Sequence, residues 1–179
     1  MQTTDFKFIK IGNQIWMAEN LNVDTFRNGD PIPEAKTNID WEIAGNERKP
    51  AWCYYNNDSI NGEKYGKLYN WNAAKDPRGL APEGWHVPDY REFDELIKNS
   101  GVGAKEVFKQ LINGGSSGFN SFFCGWRDDK GRFYDLEKNT AYHSKDSASA
   151  LNIRGDWQGV LLAGFPFSGI GFAIRCIKD

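Results

Sequence analysis

The stretch that most constrains the fold is residues 65–96, YGKLYNWNAAKDPRGLAPEGWHVPDYREFDEL. It joins an aromatic strand, carrying Tyr65, Leu68, Tyr69 and Trp71, to a loop with three prolines and then to a helix that opens at Asp89. Asp89 can accept a hydrogen bond from the backbone N–H of Glu92 while the Glu92 carboxylate reaches back, a capping box placed directly after Pro88. Phe93, Leu96 and Ile97 then share one helical face, Arg91, Asp94, Glu95 and Lys98 take the other, and Gly101 ends the helix. The preceding Gly84-Trp85-His86-Val87-Pro88 cannot be helical, because Pro88 pushes Val87 towards extended geometry and Gly84 frees the backbone beside a large indole. Trp85 is expected to anchor this loop in the core.

Around that stretch the chain reads mostly as strand and turn. Residues 6–21 alternate well enough for one or two strands, with Ile9, Ile11, Ile15 and Trp16 as apolar anchors. Residues 24–50 are polar and broken by Gly29, Pro31, Pro33 and Gly45, which predicts a long excursion with one turn around Trp41. Long loops of this kind often carry function, so the excursion is a candidate surface. Residues 51–55 read as a strand closed by a turn at Asn56-Asn57-Asp58. Ala104, Val107, Phe108 and Leu111 recur at helical spacing and predict a second short helix. Residues 122–127 and 132–136 read as a hairpin about Asp128-Asp129-Lys130-Gly131, and residues 141–144, 150–153, 160–163 and 171–177 as the later strands. There is no internal repeat and no low-complexity segment.

These segments resemble the Fibrobacter succinogenes major paralogous domain, whose motifs run approximately YG-x-LYNW-x-AA and then CP-x-GW-H-x-P-x-x-x-E-[WF]-x-x-L. The opening Ile11-Gly12-Asn13-Gln14-Ile15-Trp16-Met17-Ala18-Glu19-Asn20-Leu21 and the closing Gly171-Phe172-Ala173-Ile174-Arg175-Cys176-Ile177-Lys178-Asp179 resemble the two ends of that family. Gly125-Trp126-Arg127-Asp128 and Gly131-Arg132-Phe133-Tyr134 resemble its late hairpin. The resemblance covers nearly the whole chain and implies one α+β domain over residues 1–179. It implies a C-type-lectin-like fold of the formylglycine-generating-enzyme type, with paired N- and C-terminal strands and two short helices flanking small, irregular antiparallel sheets. The family's biochemical role is largely unassigned, so the resemblance speaks to fold before function.

At 179 residues the chain is long enough for one sizeable core. Seven Trp and 19 Gly suit a loop-rich fold in which large rings fill irregular gaps. A formal net charge of -2 favours neither nucleic acid nor an anionic membrane as partner, and no apolar run approaches the roughly 18 residues that span a bilayer. The start MQTTDFKFIKIGNQ lacks a basic segment followed by an apolar run and so carries no secretion signal. Relatives resemble exported lipoproteins, which gives an expectation of an extracellular or cell-surface location, reached after loss of a leader or by another export route. Three cysteines, Cys53, Cys124 and Cys176, have no zinc-knuckle or redox-pair spacing, and their odd number argues against a disulfide framework.

For chemistry the sequence offers little. Of two histidines, His86 lies in the Gly-Trp-His-x-Pro turn, where a structural hydrogen bond is expected. His143 stands in Tyr142-His143-Ser144-Lys145, where the family shows Tyr-Trp-Ser-Ser. An enzyme reading would centre on His143 with Tyr142, Ser144 and Asp146, hydrolysing a cell-wall or glycan bond. No G-x-S-x-G elbow, Walker loop or dinucleotide fingerprint is present, so no cofactor is expected. The paired reactive cysteines of the formylglycine-generating enzymes are absent, Cys176 standing alone near the C-terminus as expected core packing. Calcium is the one metal to consider, with Asn57, Asp58 and Asn61 beside Asn56, or Asp128 and Asp129, as oxygen donors. The sugar-binding tripeptides and Trp-Asn-Asp of carbohydrate-binding C-type lectins are missing.

Exposed aromatics are the remaining signal. Trp157 in Asp156-Trp157-Gln158-Gly159, Phe165 and Phe167 in the following glycine-rich run, and Trp41 in the excursion are the candidate ligand-binding rings, since rings on loops can stack on sugars or anchor protein interfaces. The function expected is a non-catalytic binding module that meets a protein or glycan through residues 24–50 and 145–171. A cargo or fibre-tip protein of a phage-like contractile injection apparatus is the alternative, with the hydrolase third.

Overall fold

A computed structural model describes residues 6–146, 149–164 and 169–179. The chain opens with a hairpin, β1 (Phe8–Ile11) and β2 (Gln14–Met17), and then enters the excursion. Here the structure departs from the expected lone turn: α1 (Asn38–Asn46) forms a full helix. It begins with a capping box in which the Thr37 hydroxyl accepts from Asp40 N–H and the Asp40 carboxylate accepts from Thr37 N–H. Only Trp41 on this helix is buried, so it has no apolar stripe for sequence periodicity to reveal.

Next come β3 (Trp52–Cys53), α2 (Ser59–Tyr65), β4 (Leu68–Asn70), α3 (Trp71–Ala74) and β5 (Trp85–His86). The capped helix follows as α4 (Tyr90–Asn99): Glu92 N–H donates to Asp89 Oδ1 at 2.9 Å and Asp89 N–H to Glu92 Oε2 at 2.8 Å. Its Phe93 stacks on the fully buried Trp16. The second expected helix is α5 (Ala104–Leu111), with Val107, Phe108 and Leu111 buried. The strands that follow are β6 (Cys124–Arg127), β7 (Phe133–Leu136), β8 (Asn139–His143), β9 (Ser149–Arg154), β10 (Gly159–Gly164), β11 (Gly171–Phe172) and β12 (Ile177–Lys178). The α+β class stands, but five helices occur among the described residues where two were expected. The additional three are short or polar-faced and are held by caps and burial rather than by periodicity.

Two sheets organise the molecule. A four-stranded sheet runs β1-β2-β12-β5, all antiparallel, with Ile177 opposite both Trp16 and His86. The larger sheet runs β10-β9-β8-β6-β11-β4-β3, with β7 on β6. Its pairings are antiparallel apart from β6 and β8, which pair in parallel through Gly125 and Thr140. The C-terminal segment links the two sheets: β11 pairs β4 and β6, Ala173 bridges Tyr142, and β12 closes the small sheet. Residues 171–177 are therefore two strands divided by a crossing. The termini do meet, through the second strand of the N-terminal hairpin rather than the first.

Two fully buried guanidiniums, with no carboxylate partner among the described residues, fasten the layers. Arg175 donates to Asn20 Oδ1 and to the carbonyls of Met17 and Phe119, and lies over the Phe119 ring. Arg127 donates to the carbonyls of Gly131, Ala35 and Thr37 and sits between the rings of Trp41 and Phe133. Trp85 is buried as expected, and all three cysteines are buried and free. No helix among the described residues is long and apolar enough to cross a membrane.

Candidate functional site

The four residues of the enzyme reading do not converge. Tyr142 and His143 are consecutive on β8 and so point to opposite faces of the sheet. Tyr142 hydroxyl meets Ser121 Oγ at 2.8 Å and the Arg175 guanidinium at 3.4 Å. His143 is 4 % exposed, packs on Phe172 and donates from Nε2 to the Tyr69 carbonyl at 2.9 Å. Burial pushes its imidazole down to about 4, against hydrogen bonds to the Tyr69 and Ile170 backbone that favour the charged form. Ser144 hydroxyl donates to Asp146, whose carboxylate also accepts Tyr90 N–H at the start of α4. These are structural bonds, and they set His143 apart from any solvent-facing nucleophile.

The calcium candidates are likewise spent on their own turns. Asp58 caps α2 by accepting Ile60 N–H, and Asn61 Nδ2 donates to the Tyr55 carbonyl, while Asn56 and Asn57 take left-handed backbone conformations. Asp128 accepts the N–H groups of Lys130 and Arg132 and the Arg132 Nε–H. Burial raises its pKa, but those donors outweigh burial and hold it below the ordinary carboxylate value. Asp129 adds no third acid, and no cluster of three His, Cys, Asp or Glu suited to a metal occurs among the described residues.

His86 makes structural hydrogen bonds, as expected, and makes them to two carboxylates. Its Nδ1 lies 2.7 Å from Asp179 Oδ1 and its Nε2 2.7 Å from Glu92 Oε1, so the imidazole ties the end of β12 to the first turn of α4.

Of the four candidate rings, Trp157 alone is seen at the surface. Trp41 is a correction: expected on a loop, it is fully buried, with its indole N–H on the Gly169 carbonyl at 2.7 Å. A Cβ at Gly171 would stand 2.6 Å from its ring, so this indole fills the join between the excursion and the C-terminal segment. Phe165 and Phe167 lie outside the described residues. Trp157 is 45 % exposed in the turn between β9 and β10. Its ring packs so close to Gly159 that a Cβ there would meet it at 1.6 Å. The indole is thus packed against backbone while the side chain remains substantially open to solvent, with the Arg154–Asp156 ion pair, 2.6 Å, in the same turn. The β9–β10 hairpin beneath is continuous over six residue pairs.

A cavity of about 430 Å³ adjoins this turn, and sequence reasoning had not singled out its residues. The contact is Phe123, which lines the cavity and would stand 3.1 Å from a Cβ at Gly155. Tyr65 and Phe122 meet edge to face and form apolar wall, while Phe123 stacks on Phe108. The rim is polar: Glu137 Oε1 accepts from the Tyr65 hydroxyl at 3.3 Å and faces Lys64 Nζ at 3.5 Å, with Asn113 alongside. One signal was available. Adjacent Phe122 and Phe123 cannot both enter one core from an extended segment, because successive side chains alternate in direction.

In the comparisons, a family model described as the Fibrobacter succinogenes major domain matches residues 9–178. No curated protein and no solved structure matches the chain.

Proposed function

Since the chain belongs to the Fibrobacter succinogenes major domain family, we propose that it is a non-catalytic binding module that recognises a neutral glycan on a bacterial cell surface. The observation that carries this reading is the exposed Trp157 indole, packed closely against Gly159 beside the Arg154–Asp156 pair. A sugar ring stacks its C–H face on such an indole while charged groups at the edge take its hydroxyls. The neighbouring cavity supports it, because an aromatic wall with a carboxylate and an amide at its rim suits a second sugar unit. The reading is compatible with a C-type-lectin-like origin, but it needs no calcium.

The test is calorimetric titration with a panel of neutral oligosaccharides. A bound glycan should lose about 2 kcal/mol of affinity in Trp157→Ala, roughly thirtyfold. Gly159→Ala should weaken binding too, because it displaces the indole without removing it. A glycan held equally well by both variants would sink the proposal.

A protein partner is the second reading, favoured by one observation. Ile39 and Ile43, one turn apart on α1, are 69 % and 48 % exposed on a helix anchored from below by Trp41. A partner captured by this face should be lost in Ile39→Asp and kept in Trp157→Ala. Hydrolysis finds no support in the position of His143, and no feature of the fold favours an injected-cargo role.

A further inference from the structure

A second cavity, of about 330 Å³, shares no lining residue with the one beside Trp157. It falls at the lower end of the ~300–1,000 Å³ typical of small-molecule sites. Buried Leu80 and Val87 contribute apolar lining, and three cations from remote parts of the chain, Arg27, Lys75 and Lys145, surround it. We propose that this cavity binds an oxyanion, the carboxylate or phosphate of an acidic sugar, with Arg27, Lys75 and Lys145 as its cationic contacts.

The cations are positioned rather than merely numerous. Arg27 spends Nε on the Ala81 carbonyl and one terminal nitrogen on the carbonyls of Pro82 and Trp85, which fixes the guanidinium plane. Lys75 Nζ sits 4.0 Å above the Trp71 ring, and the Trp71 indole N–H donates to the Ser144 carbonyl, next to Lys145. Lys145 is held in turn by its own N–H on the Pro88 carbonyl at 2.9 Å. One indole therefore couples the two lysine-bearing segments. Among the described residues none of the three cations is ion-paired.

Asp76, the acidic residue of the lining, does not cancel them. Arg78 holds both of its oxygens at 2.9 Å, and that hydrogen-bonded pair keeps its carboxyl below the ordinary value. His86, also in the lining, is engaged by Glu92 and Asp179, which are not lining residues. An incoming oxyanion thus meets three cations with no ion-pair partner among the described residues, beside an apolar patch, a geometry that favours a charged group attached to a ring.

The experiment titrates the full chain with trigalacturonate, with inorganic phosphate and, as a neutral control, with maltotriose. The expected result is oxyanion binding that weakens with added salt and roughly tenfold in Lys75→Gln/Lys145→Gln, whose melting temperature stays at the parent value. Trigalacturonate binding without phosphate binding assigns the site to a sugar carboxylate, and the reverse assigns it to phosphate. If the double variant melts early, Lys145→Gln alone, exposed and unpaired, takes its place. Trp157→Ala leaves this binding intact, so the two sites fail separately. Absence of binding by both oxyanions, equal affinity in parent and variant, or equal binding of maltotriose overturns the proposal.

Discussion

His143 lies between Phe172 and the Tyr69 carbonyl, and burial holds its imidazole at about 4 against an ordinary 6.5. In the unfolded chain the same ring takes a proton near its ordinary value. Between these two values the unfolded state binds more protons, so stability rises with pH and is lost as pH falls from about 6.5 to about 4. The full difference corresponds to about 3 kcal/mol. Denaturant unfolding of the parent and of His143→Gln, followed from pH 8 to pH 4, should show this acid-side loss in the parent only. Equal slopes would mean that the imidazole titrates in the fold as it does in the unfolded chain. The Tyr-His pair was visible in the sequence, but the opposite directions of its two side chains were not. That difference turned a candidate catalytic base into a core residue.

Among the elements, α4 shows local sequence and tertiary structure in agreement. Asp89 and Glu92 close the box, Phe93 and Leu96 are buried, and Glu92 also reaches His86. Asp89→Ala leaves N-terminal N–H groups unpaired and should cost about 1 kcal/mol. For a chain of this length that lowers the melting temperature by about 2–4 °C, and an unchanged melt would show that the cap is redundant with the packing of Phe93. Helix α1 is the contrasting case. It carries an equally complete box at Thr37 and Asp40, but Ile39 and Ile43 face solvent and Trp41 faces inward, so its pattern does not read as amphipathic.

For the molecule as a whole, the buried guanidiniums decide how the layers join. Arg127 reaches from β6 to the carbonyls of Ala35 and Thr37, more than a third of the chain away, and closes the Gly131 turn as well. Arg127→Leu fills the space but strands those carbonyls, and it should cost about 3–5 kcal/mol by urea unfolding. A loss below about 1 kcal/mol would show that the excursion's other contacts, such as Trp41 on Gly169 and Trp52 on Ile32, hold it without Arg127. The α+β class came with the family resemblance, and the sequence by itself determined the two periodic helices, the capped turn at Asp89, the strand alternation near the N-terminus and the core role of Trp85. Each of these depends on neighbours within a few residues, where sterics, capping and alternation act directly. Tertiary structure alone decided that the C-terminal segment crosses between two sheets, that Trp41 lies inside and Trp157 outside, and that Arg27, Lys75 and Lys145 share a cavity. Those outcomes depend on which remote surfaces bury one another, and a burial energy shared across the whole core leaves no periodic trace in any one segment.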